Sequence, residues 1–138
     1  MHLKPVPRPA TDYTSPTYWN GLIKMSLSKF FILNALYQQP MHGYEIARTV
    51  ESMTRGCCSP GEGTIYPVLK DFEAGGYVTV MSEMVQGRER KVYALTELGR
   101  QAFRVAVSSW MDVTRCLKES EAMLDAEAPL EAPDTCCL

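Results

Sequence analysis

The sequence predicts a mainly α-helical fold with one small β-hairpin, an α+β architecture, on the basis of three observations. Apolar residues recur at helical spacing in several segments of the 138-residue chain. Between the last two of these segments, two short β-branched stretches flank a polar turn, which is the pattern of a β-hairpin. Proline and glycine residues separate the segments and mark their ends. A chain of this length is expected to form one domain with loose ends.

The N-terminal region predicts a disordered arm followed by helical structure. Residues 1–14 hold three prolines among the first nine positions and show no periodicity, so they are predicted to be disordered. Ser15 and Pro16 then offer an N-cap and a first-turn proline, which predicts a helix. Residues 27–37 are dense in apolar side chains and predict a buried helix, which Pro40 ends by restricting the residue before it.

The stretch after Pro40 predicts another helix, and a hairpin follows later in the chain. This second helix begins at His42 or Gly43 and repeats apolar residues at spacings of three and four. Residues 77–81 and 91–95 are the predicted strands of the hairpin, and residues 86–90 form the polar turn between them. The turn holds two arginines, which gives the hairpin a basic tip.

Residues 59–76 predict a third helix with one ordinary and one unusual face. The ordinary face is apolar and comprises Ile65, Val68, Leu69 and Phe72. The opposite face is small, flat and nearly uncharged, and it comprises Gly63, Tyr66, Pro67, Lys70 and Ala74. Because a proline inside a helix costs a hydrogen bond and about 3 kcal/mol, helix stability does not explain Pro67. We expect this face to dock in a groove of double-stranded DNA.

The C-terminal region predicts one long helix and an acidic tail. Thr96 and Glu97 cap a helix predicted over residues 96–118, with an apolar stripe along one side. Residues 119–138 carry six acidic residues and no basic ones, which predicts a disordered or loosely docked tail. Residues 22–118 carry 12 Lys and Arg against 9 Asp and Glu. The net charge of −2 therefore hides a mildly basic body.

The order of these elements is that of a winged helix-turn-helix with a C-terminal dimerisation helix. In that architecture the second and third helices form the DNA-binding pair, and the hairpin is the wing. The predicted organisation is an arm (residues 1–14), the winged domain with its N-terminal helix (15–95), the dimerisation helix (96–118) and the tail (119–138).

Three runs of sequence resemble the PadR family of bacterial transcriptional regulators. They are HGYEIAR in the second helix, GTIYPVLKDFEAGGYV across the third, and GRERKVYALTELGR from the wing into the last helix. The resemblance implies a homodimer whose C-terminal helix packs against the partner and whose third helices bind a palindromic operator. It also implies repression that is relieved by a small effector, such as a phenolic acid or another planar compound.

The candidate DNA contacts lie on the third helix, at the start of the second helix and at the hairpin tip. Gly63 lets the helix N-terminus approach a phosphate, and Lys70 can reach a phosphate or a guanine edge. The third helix exposes no Arg, Asn or Gln, so specificity is expected to come largely from DNA shape and half-site spacing. A solvated surface helix and a solvated charged turn are the alternatives. The full set of candidates is Tyr44, Gly63, Thr64, Tyr66, Pro67, Lys70, Arg88, Arg90 and Lys91.

Five cysteines suggest a second kind of signal. Cys57 and Cys58 are adjacent and precede the third helix, so a thiophilic ion such as trivalent arsenic, antimony or mercury could bridge them. Cys116, Cys136 or Cys137 could supply a further ligand. A repressor that senses a metalloid or an oxidant is therefore an alternative, and incidental or buried cysteines are the simpler interpretation.

Trp110 in the last helix is the candidate contact for a planar effector, with ordinary core packing as the alternative. An enzyme is not expected, because the chain holds no phosphate-binding glycine loop, no metalloprotease helix and only two histidines. No apolar run approaches the roughly 18 residues of a membrane helix, and the N-terminus lacks a signal-peptide core. A cytoplasmic location is predicted. A winged helix that binds proteins instead of DNA is the third functional hypothesis.

Overall fold

The structure of the chain is a computed structural model that describes residues 3–5, 10–56 and 61–127. The predicted combination of helices with one small sheet is confirmed. The elements in chain order are α1 (Pro16–Gln38), β1 (Met41–His42), α2 (Gly43–Met53), α3 (Glu62–Ala74), β2 (Val78–Val85), β3 (Arg88–Leu95) and α4 (Glu97–Glu127).

Helix α1 merges two segments that the sequence predicted separately. It runs for 23 residues without a break. Pro16 occupies its first turn, where a missing N–H costs nothing. Its buried residues all lie in the second half, so the first half extends away from the core; they are Ile32, Leu33, Ala35 and Leu36. Of the predicted N-terminal arm, residues 3–5 and 10–14 hold no helix or strand, and the remainder lies outside the described residues.

The core lies where α1, α2, α3 and the sheet meet. The apolar face predicted for α3 is confirmed, since Ile65 and Leu69 are buried and Val68 and Phe72 are half-buried. Burying a leucine such as Leu69 stabilises the fold by about 1.5–3 kcal/mol. The other buried members of this cluster are Ile32, Ala35, Leu36, Met41, Ile46, Val50, Val78 and Tyr93.

The wing is the hairpin of β2 and β3, which belongs to a three-stranded antiparallel sheet in the order β1-β3-β2. Its strands pair from Val78 opposite Leu95 to Val85 opposite Arg88. The turn consists of Gln86 and Gly87, both with positive φ, as a two-residue type I′ turn requires. The predicted strands were too short. Most side chains in residues 81–91 are solvent-exposed. This part of the hairpin therefore lacks the alternation of apolar and polar residues that would have predicted its strands.

Helix α4 runs to Glu127, so the predicted end at Lys118 and the predicted disorder of residues 119–127 are wrong. The segment after Lys118 is rich in Glu, Ala, Met and Leu, which are strong helix formers, and its acidity does not outweigh that preference. Residues 128–138 lie outside the described residues. Among the residues that the structure describes, no helix is both long and apolar enough to cross a membrane.

Hydrogen bonds connect the start of α4 to Gly76 and Tyr77, which follow the end of α3. The Thr96 N–H donates to the Tyr77 carbonyl oxygen at 3.1 Å, and the Thr96 hydroxyl donates to the Gly76 carbonyl oxygen at 2.7 Å. Gly99 N–H donates back to Thr96 Oγ1 at 3.1 Å. These bonds cap α4 and fix its first turn against the residues that follow α3.

Candidate nucleic-acid interface

Helix α3 presents its small, nearly uncharged face to solvent, as the sequence predicted. Gly63, Thr64, Tyr66, Pro67 and Lys70 are all exposed, while the opposite side of the helix is packed into the core. Pro67 lies inside the helix and provides no N–H for the Gly63 carbonyl oxygen one turn earlier. This face is therefore accessible along its whole length, with a single ammonium group towards its C-terminal half.

A crevice of about 250 Å³ separates this face from the wing and the start of α2. Four of the candidate DNA contacts lie along it, because the register of the hairpin brings the middle of β3 beside Tyr44 and Tyr66. Its lining residues are His42, Gly43, Tyr44, Tyr66, Glu89, Arg90, Lys91 and Tyr93. The fold thus brings residues from α2, α3 and the wing into one exposed surface.

Arg90 and Lys91 do not lie at the hairpin tip, which corrects the prediction. Arg88 adjoins the turn, whereas Arg90 pairs with Glu83 and Lys91 with Ser82, further down the strands. A longer ladder than predicted moves these two residues towards α2. Arg88 and Lys91 are exposed and Arg90 is half-buried.

Arg90 contacts Tyr44 across the crevice. Its Nη1 donates to the Tyr44 hydroxyl oxygen at 3.1 Å, and its guanidinium carbon lies 5.3 Å from the centre of the Tyr44 ring. The structure therefore gives Arg90 an intramolecular partner, a cation–π and hydrogen-bonded contact that ties the wing to α2. Sequence analysis missed this contact because the two residues are 46 positions apart.

Gly43 and Tyr93 shape the floor of the crevice, and sequence analysis named neither as a site residue. A Cβ on Gly43 would lie 3.0 Å from the Tyr66 ring and hydroxyl, so a larger residue would require the Tyr66 side chain to move by a few tenths of an ångström. Tyr93 is buried. Burial, followed by the neighbouring Tyr66 and Glu73, raises the pKa of Tyr93 above its usual value. This phenol therefore stays neutral beneath the exposed surface.

His42 is the other residue that sequence analysis did not assign to the site. It begins α2, and its backbone N–H donates to Glu45 Oε1 at 3.3 Å. Its ring stacks parallel to the Tyr44 ring, with centroids 5.8 Å apart and 4° between the planes. His42 and Tyr44 thus form two layers, and Arg90 covers the outer one.

Trp110 and the five cysteines are the candidate effector residues, and the described part of the chain does not bring them together in one site. Trp110 is half-buried on α4 and Cys116 is exposed on the same helix. Cys57, Cys58, Cys136 and Cys137 lie outside the described residues. Within the described ranges, no group of three His, Cys, Asp or Glu side chains could hold a metal ion.

Helix α4 carries a long apolar side that the described protomer leaves exposed. At 100° per residue, Val105, Val113, Leu117 and Leu124 fall within one sector of the helix, and all four are between 46% and 61% exposed. The first half of α1 adds further exposed apolar side chains, namely Trp19, Leu22, Ile23 and Met25. An apolar surface of this extent is typical of a protein interface.

The family model of the PadR-like transcriptional regulators matches residues 32–105, more than half of the chain. The chain belongs to this family. The winged-helix prediction is confirmed, and the family is one of transcriptional regulators.

Curated relatives agree with this assignment. The transcriptional regulator YqjI of Escherichia coli is 34% identical over 73 residues, which are 53% of this chain and 34% of the relative. The transcriptional regulator Rv3488 of Mycobacterium tuberculosis is 32% identical over 74 residues, which are 54% of this chain and 66% of the relative. This chain therefore spans about a third of the length of YqjI.

Solved structures show the same fold at lower identity. A transcriptional regulator from Clostridium thermocellum aligns with a TM-score of 0.65 at 20% identity, covering 70% of this chain and 95% of that one. A PadR family regulator from Clostridium difficile aligns with a TM-score of 0.60 at 24% identity, covering 67% and 96%. At these identities the similarity establishes the arrangement of helices and wing.

Proposed function

We propose that the chain is a cytoplasmic homodimeric repressor that binds a palindromic operator through α3 and the wing, and that a small planar effector releases it. The observation that carries this proposal is the crevice, along which the small, nearly uncharged face of α3 lies beside the cationic residues of the wing. Family membership supplies DNA binding in general terms, and the geometry supports which surface is used.

The exposed face of α3 suits close contact with a DNA backbone. Gly63 and Thr64 lie in the first turn, where the helix dipole favours a phosphate. Lys70 lies about 10 Å further along the helix axis, so it reaches a different phosphate or a guanine edge. Arg88 and Lys91 on the wing extend the cationic surface towards flanking phosphates. Because no side chain on this face reads bases in a bidentate manner, DNA shape and half-site spacing supply most of the specificity.

The apolar side of α4 supports the homodimer. The helix is about 46 Å long, and Gly99 is its buried residue in the described protomer. A second copy that presents the same side would cover both stripes and hold two copies of α3 at a fixed separation. Trp110 lies next to the apolar side of α4. A planar effector that inserts between the two copies of α4 at this point would change the separation of the two copies of α3.

A gel-shift assay with DNA upstream of the chain's own gene tests the proposal as a whole. Binding that weakens steeply with added salt is expected, because neutralised phosphates release counterions. If the chain bound no promoter DNA and instead captured a protein partner through the crevice, the protein-interaction hypothesis would replace the proposal.

Lys70→Ala is expected to weaken DNA binding and to lower the slope of log K against log salt by about one unit, since one phosphate contact is lost. Fluorescence anisotropy on labelled operator DNA at several salt concentrations measures both quantities. Lys118→Ala is the matched control, because it removes the same charge from an exposed position on α4. Equal slopes for the two variants would remove Lys70 from the set of phosphate contacts.

Gly63→Ala is expected to change stability and DNA binding in opposite directions. A Cβ at this position meets no atom within 4 Å, so alanine should stabilise α3 by about 0.5–1 kcal/mol through its higher helix propensity. If the backbone of Gly63 lies against a phosphate, the same methyl group weakens DNA binding. Urea denaturation and anisotropy test the two effects separately. Unchanged DNA affinity in a stabilised variant would show that the backbone at Gly63 does not approach DNA closely.

A further inference from the structure

The turn at the tip of the wing has a backbone conformation that its sequence does not favour. Gln86 has a φ of 50° and Gly87 a φ of 78°, and Val85 pairs with Arg88 across them. A type I′ turn of this kind strongly prefers asparagine, aspartate or glycine at its first central position. Glutamine lacks both the freedom of glycine and the short side chain with which asparagine bonds to its own backbone. The turn is therefore strained at Gln86.

Packing does not explain this strain. The Gln86 side chain is exposed, so no buried contact requires a glutamine here. Among residues 61–127, the structure shows no hydrogen bond or ion pair from the Gln86 amide or the Arg88 guanidinium to another residue. Backbone strain of this kind clusters at functional sites. Compared with asparagine, glutamine carries the same amide group on a side chain that is one methylene group longer, so its additional property is reach.

The tip of the wing ends in two polar side chains. Gly87 adds none, so the side chains at the tip are those of Gln86 and Arg88. The minor groove of B-DNA is about 6 Å wide and admits side chains of this kind, whereas a two-stranded ribbon fits the major groove. Lys91, which lines the crevice, lies about 14 Å along the strand from Gly87. The tip would therefore meet DNA about four base pairs away from the crevice, at about 3.4 Å per pair.

The two side chains at the tip match the minor-groove edge of an A·T pair. That edge presents only the acceptors adenine N3 and thymine O2, whereas a G·C pair adds the amino group of guanine as a donor. The Gln86 amide nitrogen and the Arg88 guanidinium both donate. The Gln86 amide oxygen can accept from guanine, but the guanidinium beside it would then face a donor. The narrow minor groove of A·T tracts also attracts arginine through its more negative potential.

We propose that Gln86 is a specificity-determining residue, whose amide reads A·T against G·C in the minor groove beside each half-site, together with Arg88. This inference rests on the proposed docking of α3 and the wing on an operator. It adds to that docking a direct base contact, which the exposed face of α3 lacks. The strained turn follows from this role, because asparagine would relieve the strain but hold its amide one methylene group further from the bases.

The first test concerns the strain and needs no DNA. Gln86→Asn places a favoured residue at the first central position of the turn, so amide exchange in residues 81–91 should slow about three- to tenfold. Gln86→Met keeps an unbranched side chain of similar length, so its exchange should equal that of the wild type. Equal exchange in Gln86→Asn and the wild type would show that the turn is unstrained, and the inference would lose its basis.

The second test measures base preference. The probe is the upstream DNA bound in the gel-shift assay, with the base pairs that flank each half-site randomised, and sequencing of the bound fraction reports the preference. The wild type should favour A·T over G·C about fivefold or more at one position in each flank, the size of one base contact. Gln86→Met should lower this preference to about twofold or less, because it removes the amide and retains Arg88. Its salt slope should equal that of the wild type, since no charge changes.

Gln86→Asn should combine a more stable wing with a weaker A·T preference, an outcome that a purely structural role for Gln86 does not produce. Gln101→Met is the control, because it removes an exposed amide from α4, and its preference should match that of the wild type. If stabilising the turn instead strengthened the A·T preference, the preference would come from wing stability and the assigned role of Gln86 would be wrong.

The inference and the proposed function fail in different ways. Salt-dependent binding with no base preference in the flanks would overturn the inference and leave the proposed repressor intact. The same holds if Gln86→Met keeps the full wild-type preference, since Arg88 alone would then account for it. If the wild type bound no promoter DNA, the proposed function would fail, and the assigned role of Gln86 would fail with it.

Discussion

Gly99→Ala should destabilise the chain by about 2–3 kcal/mol, the cost of forcing an extra carbon into a packed site. A Cβ at this position would overlap the Tyr77 carbonyl oxygen and lie 2.9 Å from Leu95 Cδ2. The Tyr77 carbonyl cannot move away freely, because it already accepts the hydrogen bond from the Thr96 N–H. Relief of the overlap therefore requires the first turn of α4 to move from the end of α3.

Urea denaturation measures the loss, and Gly63→Ala is the matched comparison. Both substitutions add one methyl group to a helical glycine, but the space around Gly63 is open. The two variants should therefore differ in the sign of their effect. Equal stability of Gly99→Ala and the wild type would show that α4 can shift without cost, and the connection between α3 and α4 would not be rigid.

A rigid connection matters because α4 carries the proposed dimer surface and α3 the proposed DNA surface. Thr96 donates hydrogen bonds to the carbonyl oxygens of Gly76 and Tyr77, which follow α3. We therefore expect a rotation of α4 to move α3 as well. An effector at the α4 seam would thereby alter the separation of the two recognition helices in a dimer.

Features with local causes were predictable from the sequence. The apolar stripe of α3, the start of α2 at His42 or Gly43 and the two-sided character of α4 follow from spacing and turn residues within a few positions. The capping of α4 by Thr96 was predictable for the same reason. The length of α4 was not, because the acidic composition after Lys118 favours disorder while its Glu, Ala, Met and Leu residues favour a helix.

Features that depend on long-range pairing were not predictable. His42 and Lys91 are 49 positions apart, and their contact exists only because the two residues of β1 pair with β3. A two-residue strand has no periodicity to detect. The sequence predicts Arg90 as a DNA contact at the hairpin tip, and only the full register of the wing places it beside Tyr44.

The largest effect on DNA binding is expected from Val113→Asp/Leu117→Asp on the apolar side of α4. Both side chains are about half exposed in the protomer, at 46% and 55%, so the fold should tolerate the change. In a dimer the same positions would bury unpaired carboxylates, which is costly. The variant should be monomeric and bind operator DNA at least about a hundredfold more weakly, because linking two half-sites contributes a factor of about 10²–10⁴.

Ser108→Asp/Met111→Asp is the control for this variant, since it adds the same two charges on the other side of α4, where both positions are exposed. Light scattering coupled to size-exclusion chromatography gives the mass of each variant, and circular dichroism verifies that the helices persist. The control should remain dimeric and bind DNA almost as well as the wild type, with a small loss from its added negative charge. A dimeric Val113→Asp/Leu117→Asp chain would place the interface elsewhere, and the exposed first half of α1 would then be the surface to test.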